Sequence, residues 1–382
     1  MNGMFRRIRI LHIIASWQSG LGNELAAFAE RLEPDEFEYE VCTLDLRWSY
    51  DAVAYMKLRR TLRRFQPDIV HTWDTSSQLY AALQQGNPKI VAEKRDAAPT
   101  GQTPLYRNEK THRFIASRKM DDCPKTVIIP PSAIPGPFSE PMPAEQLLEA
   151  LDVPLVEPSG DYYPVLQPQY EPARRNFKAV PPNATPYIIG IVLPLTSEHR
   201  ILDALWVCET FKHVHLNYHA FFIGEGRAQE ECLRYRDRWK LFSRVHFVGG
   251  QGRSGWALTS RLLPSFDALL HLSPSAEHSN VILSAMSCGV PVVAVETPKS
   301  RQYIVDGISG ILIPCEDADK ETSGKEASSF YRRTAAKKLL HLLENQELRR
   351  SLSKAGKERV AKEFNFDKAV QCRKKLYRDI AR

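Results

Sequence analysis

The chain has no apolar run long enough to cross a membrane: its longest, 187–192 and 290–295, fall far short of the roughly 20 residues that a spanning helix needs. It also has no pair of cysteines at CxxC spacing. The seven, at positions 42, 123, 208, 232, 288, 315 and 372, lie far apart, which argues against a zinc site or a disulfide framework and fits buried, reduced thiols in a cytoplasm. Arg6, Arg7 and Arg9 are followed by no small-residue cleavage site, so export is not expected. No Ser/His/Asp set, metal-ligand cluster or Walker loop is apparent, which disfavours hydrolase, metalloenzyme and kinase chemistry. Neither a metal nor a bound cofactor is expected.

What is present describes a folded chain. Its 382 residues exceed the roughly 250–300 at which a single core stops growing, so two domains are expected. Hydrophobic residues make up 43% and charged residues 25%, the ordinary balance of a soluble globular protein. The net charge of +7 is modest for this size, but Lys57, Arg59, Arg60, Arg63 and Arg64 cluster on one predicted helix. Such a cluster is either a solvated face or a contact for anionic lipid or phosphate.

Strands alternate with helices along both halves. The first half reads as strand 8–15, a glycine loop, helix 24–32, strand 39–44, helix 50–65, strand 68–72, helix 76–85 and strand 89–93. The second reads as strand 187–193, helix 201–210, strand 219–223, helix 228–239, strand 245–248, strand 267–272, helix 280–288, strands 290–295 and 311–313, and helices 326–345, 346–363 and 367–381. Such alternation implies doubly wound parallel sheets, an α/β class with two Rossmann-like domains. Between the halves, 130–186 holds 14 of the 26 prolines and almost no clear periodicity, the composition of a linker. The expected division is an N-terminal domain 1–130, a linker 131–186, a C-terminal domain 187–363, and a terminal helix 364–382 that crosses back to the first domain. Ligands of this architecture bind at the carboxyl ends of the strands.

The stretch 267–310 is the richest in chemistry. A strand (DALLHLS) runs through a loop into NVILSAMSCG and then PVVAV. Ser279 suits an N-cap and Gly289 a C-terminal stop. The amides of Asn280, Val281 and Ile282 would then offer an anion site at the helix start, of the kind that takes a nucleotide diphosphate.

SPSAEHSNVILSAMSCGVPVV (273–293) resembles the donor-binding pattern SxxEGxPNVxLEAMAxGxPVV of the retaining group 1 glycosyltransferases. RQYIVDGISGILIP (301–314) resembles that family's ExVxDGxxGxLxP, and FFIGEGRAQEECL (221–233) its GxGxxxxxL turn at Gly224. RVHFVGG (244–250) and YIIGIV (187–192) fit the same order. In the first half SGLGNEL (19–25), with Gly20 and Gly22, resembles the GGxE loop, with Glu24 opening the helix. PDIVHTW (67–73), VAEKRDAAP (91–99), FIAS (114–117) and VIIPPSAI (127–134) resemble the segments that complete that domain. The resemblance spans nearly the whole chain outside the proline-rich segment and implies a GT-B fold, two such domains facing a cleft.

It further implies a glycosyltransferase that moves a sugar from a nucleotide-diphosphate donor to a glycan or lipid-linked acceptor, with retention and without a metal. This suits cell-envelope polysaccharide or glycolipid synthesis at the inner face of a membrane, with peripheral membrane contact and no nucleic acid. Several positions depart from the pattern. Where the family has two glutamates eight positions apart, Ala276 and Ser284 stand here. Glu277 takes the first role if the loop is shifted, and Ser284 can still donate one hydrogen bond to a ribose. Pro194 and His199 replace the Arg and Lys that neutralise the diphosphate, leaving Arg200, Arg227 or Arg253 to compensate. Gln302 stands for a downstream glutamate. His71, at a strand end, is either structural or a histidine facing the cleft; Glu277, His71 and Arg200 are the catalytic candidates. The alternative is a catalytically degenerate GT-B protein that binds or regulates; an epimerase or phosphorylase on the same fold has less support.

Overall fold

A computed structural model describes residues 6–15, 20–46, 51–84, 89–94, 111–116, 126–128, 140–151, 185–214, 217–249, 258–275, 280–314 and 325–382. The chain forms two compact units, one of residues 1–135 and 361–382, the other of 136–360. The last segment of the chain therefore belongs to the first unit, and the second is an insertion between its parts. Most of the expected proline-rich linker, 152–184, lies outside the described residues.

Unit 1 runs β1 (Ile8–Ile14), α1 (Gly20–Ala29), β2 (Phe37–Thr43), α2 (Ala52–Phe65), β3 (Ile69–Thr72), α3 (Thr75–Ala82), β4 (Lys89–Lys94), β5 (Thr111–Ala116) and β6 (Thr126–Ile128). The six strands form one parallel sheet in the order β2-β1-β3-β4-β5-β6. A sheet covered on both faces needs strands that are apolar throughout. Leu11, Ile13, Val70 and Ile90 accordingly pack with Leu58 and Tyr80 on one side. Ile10, Ile14 and Ile69 are equally buried. Asp51 caps α2 by accepting from the amides of Val53 and Ala54, and Asp74 closes a capping box with Ser77 at the start of α3, which fixes where each helix begins.

Unit 2 contains α4 (Ala144–Ala150), β7 (Tyr187–Val192), a 3₁₀ turn (Ser197–His199), α5 (Ile201–His213), β8 (Tyr218–Ile223), α6 (Gln229–Arg238), β9 (Val245–Val248), β10 (Ala268–His271), α7 (Asn280–Cys288), β11 (Val292–Val295), α8 (Pro298–Tyr303), β12 (Ile311–Ile313), α9 (Lys325–Glu344) and α10 (Gln346–Glu363). Its parallel sheet is ordered β12-β11-β10-β7-β8-β9. Ile189, Ile191, Phe222, Leu270 and Val293 form its largest core with Leu205, Phe211 and Leu339. The helix α4 was not expected from the proline-rich composition; Pro143 directly precedes it, and Leu147 and Leu148 anchor it.

The final helix α11 (Phe366–Ala381) returns to unit 1. Its buried stripe, Phe366, Ala369, Val370, Arg373, Tyr377 and Ile380, follows helical spacing. Ion pairs rim it: Lys374 to Glu33 at 2.6 Å, Arg378 to Glu36 at 2.5 Å and Arg31 to Asp367 at 3.3 Å. Among the described residues no helix is long and apolar enough to cross a membrane, and the five described cysteines are free.

One face of unit 2 carries a histidine pair, His219 on β8 and His246 on β9, with ring nitrogens 2.9 Å apart. Burial, and for His219 the neighbouring His246, pushes both down from 6.5 to about 4. A folded-state value below the unfolded one means that the unfolded chain takes up more protons as pH falls. Unit 2 is therefore expected to hold its stability above pH 6.5 and to lose it progressively toward pH 4. Urea unfolding across that window, repeated on the variant His219→Gln/His246→Gln, checks this; an unchanged pH slope in the variant rules the pair out as its source.

Candidate functional site

In a doubly wound sheet the chain first extends to one side and then returns to the other. The loops after the two central strands diverge there and leave a crevice. In unit 2 those strands are β7 and β10, so the crevice is framed by the loops 193–200 and 272–279, of which 276–279 lie outside the described residues. α7 begins at Asn280 at the same edge of the sheet.

The loop after β7 is laced to the one after β8. The Leu195 N–H donates to the Glu225 carbonyl at 3.1 Å, and the Leu195 carbonyl accepts from Ala228 N–H at 2.8 Å. Gly224 has φ +153°, and a Cβ there would lie 2.0 Å from the Leu193 carbonyl oxygen; one at Gly226 would lie 2.3 Å from that of Leu195. The GxG turn thus lets two backbone segments touch, which gives Gly224 a packing role.

Across the crevice, His199 Nδ1 meets Ser273 Oγ at 2.8 Å, and that oxygen also accepts from Ser275 N–H at 3.1 Å. Burial lowers the His199 pKa against the opposing pull of Glu198, which disfavours a fixed cation there. Arg200, in a left-handed conformation at φ 53°, caps the turn with its guanidinium 4.6 Å above the Tyr331 ring. Arg227 is exposed and paired with Glu198 at 3.3 Å. Arg253 and Glu277 lie outside the described residues, as do Ala276 and Ser279.

Asn280 Oδ1 accepts from the Tyr303 hydroxyl at 3.3 Å. The side chains of Val281 and Ile282 are buried, which leaves backbone groups as their only means of meeting a ligand. Ser284 corrects an expectation: it is fully buried and its hydroxyl donates to the Asn280 carbonyl at 3.3 Å, a back-bond within its own helix rather than a ribose contact. Gly289 ends α7 at φ +81°, with Val290 N–H reaching the Ala285 carbonyl at 2.9 Å, as a Schellman stop requires. Gln302 lies in α8, its carbonyl accepting from Arg359 at 3.1 Å.

Unit 1 departs more from expectation. Gly20 and Gly22 belong to the first turn of α1 and not to a loop before it. Glu24, one turn in, is buried with Arg373, whose guanidinium bonds Glu24 at 3.1 Å and Glu93 at 2.8 Å. His71 is likewise fully buried. Its Nδ1 lies 2.5 Å from the Tyr377 hydroxyl and its Nε2 3.5 Å from Glu93, so it is a member of this internal network and does not open to solvent. His12 completes the network by accepting from Trp73 Nε1–H at 3.1 Å; burial, then His71 and Arg373, hold its pKa well below 6.5. Arg373 was missed in the sequence, although a lone arginine in the apolar stripe of the terminal helix was its signal. At the crevice of this sheet, between β1 and β3, Asp74 accepts from Ala15 N–H at 2.7 Å and ties the two loops together.

Among the described residues no three His, Cys, Asp or Glu side chains are grouped to hold a metal. On α2, Lys57 pairs with Asp45 at 3.1 Å and Arg64 pairs with Glu40, while Arg60 and Arg63 are exposed.

Residues 189–323 match the family model described as glycosyl transferases group 1. Among curated proteins the chain is similar to N-acetyl-alpha-D-glucosaminyl L-malate synthase of Bacillus anthracis, 26% identical over 50% of this chain and 46% of that protein. It also resembles an uncharacterized glycosyltransferase of Methanocaldococcus jannaschii, 23% identical over 50% and 47%. The chain spans about half the length of the curated relatives it matches. Among solved structures it resembles Anabaena HepE in complex with UDP and glucose, with a TM-score of 0.67 and 15% identity over 98% of this chain and 100% of that one. It also resembles sucrose-phosphate synthase of Thermosynechococcus elongatus, with a TM-score of 0.61 and 17% identity over 98% and 99%. At these identities the likeness establishes the GT-B fold.

Proposed function

We propose that this chain, whose second unit carries a group 1 glycosyltransferase domain, moves a sugar from a nucleotide-diphosphate donor to an acceptor hydroxyl with retention at the anomeric carbon. The carrying observation is the extent of the family match: 189–323 runs from β7 past β12 and so includes every loop at the carboxyl edge of that sheet. The donor diphosphate sits against the start of α7 at Asn280, where amide dipoles favour anions. Arg200 neutralises its charge as the acceptor attacks from the face that the diphosphate leaves. No metal enters this scheme. UDP is the first nucleotide to test, because the solved structure of Anabaena HepE holds UDP and glucose. The acceptor is a glycan or lipid-linked sugar of the cell envelope, met at the inner face of the membrane, with the cationic face of α2 toward it.

Two observations favour the other reading, a GT-B module that binds without transferring. His199 is bonded to Ser273 with its pKa lowered by burial, and Ser284 is buried where a ribose partner is wanted. Calorimetric titration with UDP, GDP and ADP, followed by a donor-hydrolysis assay, separates the two. Binding with slow sugar release supports transfer, binding without release supports the module, and no binding of any of the three puts the non-transferring reading in the lead. Within that experiment Arg200→Glu is expected to weaken nucleotide binding about tenfold or more, since a charge-assisted hydrogen bond contributes roughly 1.5–3 kcal/mol. Unchanged affinity means that Arg200 is not the neutralising cation.

A further inference from the structure

Three aromatic side chains are exposed among the described residues, and two of them, Trp239 at 40% and Phe242 at 62%, share the short turn between α6 and β9. The turn itself is held firmly. Leu241 is fully buried, its N–H donates to the Arg236 carbonyl at 2.9 Å, and Lys240 N–H donates to that of Asp237 at 3.1 Å. Lys240 sits at φ 52°, and Lys212 of α5 bonds the Trp239 carbonyl at 2.9 Å. A rigid turn with its middle apolar residue inside projects the flanking Trp239 and Phe242 outward.

Cations neighbour these rings along the chain; of them Arg234 pairs with Glu230 at 3.8 Å and Arg244 lies 5.5 Å from the Tyr218 ring. Arg234, Arg236, Arg238, Lys240 and Arg244 lie within 234–244. The segment's one acid, Asp237, bonds Arg236 at 2.8 Å, while Arg238 lies 5.9 Å from the Trp239 ring. Complementing the helix dipole accounts for Arg236 and Arg238 in the last turn of α6. It does not account for two exposed aromatics beyond the helix end. Rings that sit at the headgroup level, ringed by Lys and Arg, are the combination that an anionic bilayer surface takes up.

We infer that the α6–β9 turn seats on an anionic lipid surface, with Trp239 and Phe242 entering the headgroup layer and Arg238, Lys240 and Arg244 meeting lipid phosphates. This surface is separate from the crevice and does not depend on the chain being a transferase.

The test is co-sedimentation of the full chain with phosphatidylcholine vesicles, with and without phosphatidylglycerol. The chain is expected to pellet only with the anionic vesicles. The variants Trp239→Ser/Phe242→Ser and Arg238→Glu/Lys240→Glu are each expected to lower the bound fraction at least about tenfold in partition, with unchanged thermal unfolding. Absence of the full chain from both pellets overturns the inference. So does full binding by the folded turn variants while Arg60→Glu/Arg63→Glu on α2 abolishes it, because the lipid contact then belongs to α2.

Discussion

Replacing Arg373 with methionine is expected to lower the stability of unit 1 by about 3–5 kcal/mol, the usual loss when one partner of a buried ion pair is removed. Arg373, Glu24 and Glu93 are all buried, and the guanidinium bonds both carboxylates. Methionine keeps much of the contact that the arginine stem makes with Phe28 and Trp73, over whose rings the guanidinium now lies at 5.6 and 5.4 Å. What it removes is the positive charge, leaving two carboxylates to be protonated or hydrated. Denaturant unfolding of Arg373→Met, of Glu24→Gln/Glu93→Gln and of the combined variant forms a cycle that isolates the coupling. The combined variant is expected to be more stable than Arg373→Met alone, because replacing all members of a buried charge cluster costs less than stranding some of them. A loss below about 1 kcal/mol for Arg373→Met, the range of exposed pairs, means that water reaches the cluster.

Gly224→Ala is expected to cost about 2–4 kcal/mol of stability. The new methyl would sit 2.0 Å from the Leu193 oxygen and 2.9 Å from its carbonyl carbon. The Leu193 backbone cannot step aside freely, because its N–H donates to the Ile223 carbonyl at 3.1 Å. Gly226→Ala should behave similarly against Leu195. Gly307→Ala is the control: its φ is +72° but the space beside it is open, so only the left-handed strain of about 1–2 kcal/mol applies. Melting temperatures of the three variants give the ranking. Equal losses at 224 and 307 mean that conformation, not the crossing of the two loops, explains the glycine.

The wound sheets were legible because each element carries its own period. The helix 280–288 begins and ends where its sequence puts it, its end fixed by Gly289, and strand 311–313 is bounded as its short apolar run suggests. Helix α1 was placed four residues late, because Gly20 and Gly22 read as loop residues while a first helical turn tolerates glycine at modest cost. Helix α4 was hidden by the prolines on either side of it. The internal network of His71 and Glu24 was not legible, for a different reason. Both lie near segments that resemble a binding loop, but the partner that explains them, Arg373, is 349 residues from Glu24 and 280 from Glu93. Local pattern shows that a residue is polar and where it sits on its element. It does not show which distant charge will be buried against it.

That separation bears on how the chain is made. Glu24 and Glu93 leave the ribosome long before the arginine that neutralises them. At about 5–20 residues per second, the 280 residues between Glu93 and Arg373 take roughly 15–55 s to translate. Throughout that interval the two carboxylates must stay hydrated, so the first half of the nascent chain waits as an open sheet, its α11-facing side uncovered. The inserted unit, 136–360, is complete in sequence before its host and is expected to fold first, although its first residue is made later. Chaperone contacts during synthesis should accordingly concentrate on the uncovered face of β1 and β3, and end when Arg373 emerges.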